Sequence, residues 1–194
     1  MRIIAGQFRG RALAALGKGD KGGHLRPTTD RVRESLFSVL THLEVIPNAR
    51  VLDLFAGTGA LGLEALSRGG CHVTFVDDGR VAQGLIRKNI GLTQSGGQTS
   101  LIRRDAARLG DCPGAPYDLV FLDPPYGKGL GERALEAAEV GGWLAPGALI
   151  VWEESTPMQA PERFEVHDCR RYGDTHITLM WAPDAAAGTG IAEN

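Results

Sequence analysis

The sequence predicts an α/β protein built on a largely parallel sheet with helices on both faces. Three observations carry this. Short apolar stretches recur between residues 51 and 152, helix-spaced segments separate them, and glycines or acids mark the junctions. Near-continuous apolar strands alternating with helices belong to sheets buried on both sides, because each crossover helix covers a face.

The elements follow in order. Arg2 to Gln7 reads as a short strand, Phe8-Arg9-Gly10 as a turn, and Arg11 to Leu16 as the returning strand. Residues 17–23 hold four glycines, two lysines and an aspartate, the composition of a flexible loop. Thr29 or Asp30 can cap a helix through Val32, Leu36, Phe37, Val39 and Leu40, and Pro47 and Asn48 end that segment. Val51 to Phe55 reads as a buried strand, followed by a glycine turn and a helix through Leu61, Leu63, Ala65 and Leu66 that Arg68-Gly69-Gly70 stops. Strands are expected at 72–76, 99–102, 117–122 and 148–152, and helices at 80–90 and 130–140. Phe164 to Arg171 and His176 to Trp181 form an antiparallel hairpin around Tyr172-Gly173-Asp174. The expected organisation is a basic hairpin and loop over 1–24, one α/β domain over 25–183, and a disordered tail over 184–194.

Composition narrows the class. The chain has 194 residues, 43% of them hydrophobic, which suits one domain with a real core. Net charge is only −2, yet residues 1–33 carry eight basic side chains against two acids, a local charge of +6. A basic arm on an acidic body is a plausible phosphate-binding surface. Cys71, Cys112 and Cys169 are far apart and the histidines lack ligand spacing, so neither a disulfide framework nor a metal is expected. No signal peptide or membrane span is visible, and a cytoplasmic protein with reduced thiols is expected.

Gly57, Gly59 and Gly62 form G-x-G-x-x-G after a strand and before a helix, where the backbone can approach a ligand closely. Taken alone, this motif would suit a dinucleotide equally well. Asp53 shifts the balance, because an acid there repels a pyrophosphate and attracts a cation such as the sulfonium and ammonium groups of S-adenosylmethionine. Asp77, with Asp78 as its rival, can accept ribose hydroxyls, and Asp105 the adenine amine.

After the strand at 117–122 come Asp123, Pro124, Pro125 and Tyr126, a rigid loop at the same sheet edge. A carboxylate and a proline carbonyl can each accept one N–H of an exocyclic base amine. They would thereby stabilise the positive charge that grows on its nitrogen during methyl transfer. Asp123 can also take the proton, and Tyr126 can stack on a displaced base.

These motifs resemble class I methyltransferases acting on exocyclic base amines. With Arg2 to Gly6, Gly10-Arg11, Arg26 to Phe37 and Arg171 to Thr175, the chain resembles the bacterial 16S ribosomal RNA (guanine(966)-N2)-methyltransferase family from Arg2 to about Trp181. The resemblance implies a Rossmann-like seven-stranded sheet with an antiparallel last strand, and a monomer acting on 16S rRNA of the small ribosomal subunit. It implies that Asp53, Phe55, Gly57, Gly59, Asp77, Asp105 and Thr28 surround S-adenosylmethionine, and that Asp123 to Tyr126 form the methylation loop. Arg2, Arg9, Arg11, Arg26 and Arg33 would then meet RNA. Asp77 departs from the glutamate expected there and shortens the reach to the ribose. The tetrapeptide does not separate guanine from adenine, so a DNA adenine-N6 methyltransferase stays open. A nicotinamide dehydrogenase and a non-catalytic RNA-binding module are disfavoured by Asp53 and the intact loop.

Overall fold

The computed structural model describes residues 1–15 and 29–184. Helix α1 (Asp30–His42) is capped by Thr29, whose side chain accepts the Val32 N–H, and Leu36, Phe37 and Leu40 face inward. It stops five residues before Pro47, because Glu44 takes a left-handed φ of 55° that a helix cannot continue through.

Seven strands form one sheet: β1 (Arg50–Leu54), β2 (His72–Val76), β3 (Thr99–Ile102), β4 (Tyr117–Leu122), β5 (Leu144–Glu154), β6 (Glu165–Tyr172) and β7 (Thr175–Trp181). Their order is β3-β2-β1-β4-β5-β7-β6. The first five neighbours are parallel, and β7 runs antiparallel between β5 and β6. Helices α2 (Ala60–Ser67), α3 (Arg80–Thr93) and α4 (Leu130–Val140) make the crossovers.

Each sheet face has its own core. On one, Val51, Phe75, Phe121 and Leu179 meet Phe37, Leu63 and Ile86. On the other, Leu52, Leu54, Leu122 and Trp152 meet Leu135 of α4. The order reverses at β1, with β2 on one side and β4 on the other. Ligands of open α/β sheets bind outside the carboxyl ends at such a switch point, and there both loops singled out from sequence emerge side by side.

Strand β5 begins at Leu144 rather than 148 and α3 runs on to Thr93, and two further departures bear on the site. Strand β5 runs past Trp152 through Glu153 and Glu154, because β7 pairs with it as far as His176. The N-terminal hairpin is short: its two sides meet in one bridge, Arg2 with Ala12, and in bonds from Ile3 N–H to Arg11 O, Gly10 N–H to Ile3 O and Leu13 N–H to Met1 O at 3.0, 2.9 and 3.2 Å. Other backbone donors of the arm are used for docking. Ile4 and Ala5 N–H donate to the Glu64 carboxylate at 2.7 and 3.0 Å, Gln7 N–H to Ser67 O at 2.8 Å, and Phe8 N–H to Ser67 Oγ at 2.9 Å. Ile3 and Leu13 are buried in the core beneath. Gly6 sits so close that a Cβ there would lie 1.7 Å from Ser67 O.

No helix of the described residues is long and apolar enough to cross a membrane. The calls on Arg26, Thr28, the 17–23 loop and residues 185–194 lie outside the described residues.

Candidate active site

The first half of the site is the turn between β1 and α2. Phe55 takes a φ of 58°, unusual for an aromatic residue, and Gly57 and Gly59 follow at 56° and 74°. Gly62 is needed for packing: a Cβ would stand 2.6 Å from Phe75 and 3.0 Å from Asp53 Oδ2. Asp53 is 2% exposed and accepts the Gly62 N–H at 3.0 Å. Burial, opposed by that bond and aided by the charge of Asp77, pushes its carboxyl up to about 8.

Asp77 follows β2 and points at the same turn. Its Oδ2 accepts the Gly57 N–H at 2.9 Å and its Oδ1 the Gly79 N–H at 2.8 Å. Burial raises its carboxyl, those two bonds lower it, and Asp78 raises it. Asp78 itself is exposed. The shortened side chain thus braces the glycine turn, with one lone pair on each oxygen left for a ligand. Asp105 caps the 3-10 turn Ala106–Arg108 through Ala107 N–H at 2.9 Å.

The second half is the loop after β4. Asp123 N–H donates to Leu54 O at 3.5 Å, which holds the start of this loop against the end of β1. Burial and the charges of Glu153, Asp53 and Glu154, in that order, push the Asp123 carboxyl well above the usual carboxylate range. Tyr126 donates its hydroxyl to Glu153 Oε1 at 2.7 Å, with Thr175 Oγ1 3.2 Å away. Burial raises that phenol. Gly127 N–H donates to Glu154 Oε1 at 2.9 Å, while Glu154 Oε2 accepts the Ser155 N–H and hydroxyl. The end of β5 therefore clamps the loop.

Glu153 and Glu154 were missed in the sequence reading. The signal was present, since two acids close an apolar strand there as Asp53 and Asp77 do at β1 and β2. They are only 7% exposed, an expensive burial for carboxylates unless their oxygens are bonded.

The basic residues divide. Arg2, Arg9 and Arg11 are exposed on the arm, and Arg11 donates to Leu92 O at 2.8 Å. Arg33 corrects the expectation that it meets RNA. It is 0% exposed, and its Nη2 donates to Arg2 O at 2.6 Å and to Asp30 at 2.7 Å, so it joins α1 to the arm. A charge wholly covered by its own chain has no face for a phosphate. Among the described residues no group of three or more His, Cys, Asp or Glu could hold a metal.

A switch point lined by Asp53, the glycine turn, Asp77 and the Asp123–Tyr126 loop defines a Rossmann-like methyltransferase, a class whose methyl donor is S-adenosylmethionine. The family model described as Conserved hypothetical protein 95 matches residues 1–181, and the chain belongs to that family. It is 43% identical over 161 residues to Ribosomal RNA small subunit methyltransferase D of Escherichia coli K12, covering 83% of this chain and 78% of that protein. It is 39% identical over 169 residues to the protein of the same name from Haemophilus influenzae, covering 84% of each. Among solved structures it is similar to a putative methyltransferase of E. coli, yhhF, with a TM-score of 0.80 and 38% identity over 95% of this chain and 99% of that one.

Proposed function

We propose that this enzyme transfers a methyl group from S-adenosylmethionine to the exocyclic N2 amine of guanine 966 in 16S rRNA of the small ribosomal subunit. Two curated relatives carry the name of a small-subunit rRNA methyltransferase. The observation that carries the site assignment is the hydrogen bond from Asp123 N–H to Leu54 O. It brings the methylation loop to the end of the strand that bears Asp53.

The residues present fit the cofactor. Asp53 is without a cationic partner among the described ion pairs, and burial, with the charge of Asp77, holds its carboxyl up to about 8. A cation would relieve this. Asp53, Phe55, Gly57, Gly59 and Asp77 would hold the cofactor. Asp105 would take the adenine amine. When bound, S-adenosylmethionine supplies an electrophilic methyl group on a sulfonium.

The rest falls to the chain. A guanine amine is a weak nucleophile because its lone pair is spread into the ring. The Asp123 carboxylate and the Pro124 carbonyl accept its two N–H groups, which favours a pyramidal nitrogen and offsets the positive charge growing there. Burial and neighbouring acids make Asp123 a stronger base than an ordinary carboxylate, so it accepts the proton the amine must lose. Pro125 stiffens the loop. Tyr126, fastened through its hydroxyl, presents its ring to the base. Arg2, Arg9 and Arg11 hold phosphates outside the site. The enzyme acts as a monomer in the cytoplasm.

The deciding experiment is transfer of labelled methyl groups to small ribosomal subunits that lack their own methylation, followed by nucleoside analysis. N2-methylguanosine at one site is expected. N6-methyladenosine, or label in DNA alone, would overturn the substrate and keep the chemistry.

A further inference from the structure

Asn89 lies on α3 outside both loops of the site, with no exposed surface. Its Nδ2 donates one N–H to Ala14 O at 3.0 Å and the other to Thr58 O at 2.8 Å. Its Oδ1 accepts the Ala14 N–H at 2.7 Å. The partners define the amide's orientation, because a flipped amide would set oxygen against two carbonyls and nitrogen against an N–H.

Those partners belong to two different working parts. Thr58 is the middle residue of the glycine turn, and Ala14 is on the basic arm two residues beyond its bridge. Asn89 therefore pairs with the arm's backbone as a neighbouring strand would, and holds the turn's carbonyl with the same amide. Asp77 holds the other side of that turn through Gly57 N–H. The arm's bonds to Glu64 and Ser67 fasten it to α2, and the Thr58 hydroxyl makes a long contact to Met1 Sδ at 3.9 Å, but the Thr58 carbonyl is tied to the arm through Asn89. A shift of Ala14 strips two of the three bonds that orient the amide and so loosens its grip on Thr58. Unpaired buried groups are costly, so the two seats move together.

We propose that Asn89 is a positioning residue that makes RNA binding on the arm and cofactor binding at the glycine turn mutually dependent. This rests on the reading of the arm as an RNA surface and of the turn as the cofactor cradle. Such coupling is reciprocal, since each ligand changes the affinity for the other by the same factor.

The test uses the full chain and equilibrium dialysis of labelled S-adenosylhomocysteine, with and without saturating small ribosomal subunits that lack their own methylation. The wild type should bind it about 10-fold more tightly when the particle is present. Asn89→Leu keeps a similar volume without hydrogen bonds, and should bring that ratio near one while weakening S-adenosylhomocysteine itself. Ala14→Pro removes the N–H that Oδ1 accepts and leaves the Ala14 carbonyl in place. It should also bring the ratio near one, with S-adenosylhomocysteine binding alone weakened less than by Asn89→Leu because both amide N–H bonds remain, and it keeps the test alive if the Leu variant does not fold. A merely structural role would lower both affinities and leave the ratio as it was. A ratio of one in the wild type with both ligands bound, or the wild-type ratio in either folded variant, overturns the proposal. Failure of wild-type protein to bind the particle would instead defeat the RNA reading, and the coupling with it.

Discussion

The Tyr126 hydroxyl lies 2.7 Å from Glu153 Oε1, a bond between the methylation loop and the last turn of pairing in β5. Tyr126→Phe keeps the ring and loses the donor. The loop then depends on the Gly127 bond to Glu154 alone for that anchorage. The expected result is a fall in kcat of about 10-fold with cofactor affinity unchanged, and a stability loss of about 0.5–1.5 kcal/mol for one side-chain hydrogen bond. Single-turnover transfer and denaturant titration measure both. An unchanged kcat would show that the loop does not need this anchor.

Asp123 and Asp77 should fail in different ways. Asp123→Ala removes the acceptor for the amine and is expected to abolish transfer while leaving S-adenosylhomocysteine affinity within about 3-fold. Asp77→Ala frees the Gly57 and Gly79 N–H groups, loosening the turn, and should weaken cofactor binding first, by about 10-fold or more at the usual cost of unmade buried bonds. Near-normal transfer by Asp123→Ala would sink its proposed role.

Asp53 makes cofactor affinity depend on pH. Its carboxyl stands at about 8 in the fold against an ordinary 3.8, so the fold binds this proton more tightly than the unfolded chain does. The sign for stability follows. The contribution is complete below about pH 4 and is lost as pH rises through 8. A bound cation favours the carboxylate, so cofactor affinity should move the opposite way, rising from pH 6 to 8 and then levelling. Calorimetry in buffers of different ionisation enthalpy should show proton release on binding below pH 8. Asp53→Asn should flatten the profile, and S-adenosylhomocysteine, which lacks the sulfonium, should show a weaker slope. A flat wild-type profile would remove Asp53 from the cation site.

Gly6 is where the arm meets α2 most closely, at a φ of 80°. An added methyl would lie 1.7 Å from Ser67 O, and no rotamer relieves a clash with backbone. Gly6→Ala should unseat the arm and lower particle affinity by more than 10-fold, with S-adenosylhomocysteine binding alone kept within a few fold. Full particle binding by this variant would place the RNA contact elsewhere on the surface.

Much of this molecule was legible along the chain. Strands β2, β3 and β4 and helix α4 stand where apolar runs and periodicity placed them, because burial on both faces or on one helical stripe leaves a local pattern. The turn at Gly57 and the Asp123–Tyr126 loop were legible for a related reason: tight backbone and rigid prolines are chemical properties of the residues themselves. What local pattern could not carry is pairing between distant segments. The extension of β5 through Glu153 and Glu154 exists because β7 arrives antiparallel beside it. The arm's hairpin is short, and its remaining N–H groups go to Glu64 and Ser67, about sixty residues away. Arg33 looked like an exposed cation among others until α1 turned it under the arm. The sequence by itself determined where most strands and helices lie, the glycine turn after β1 and the rigid loop after β4, since short-range sterics and burial specify them. Only the tertiary structure decided which polar groups are spent on holding those parts together, since each such bond needs a partner many residues away.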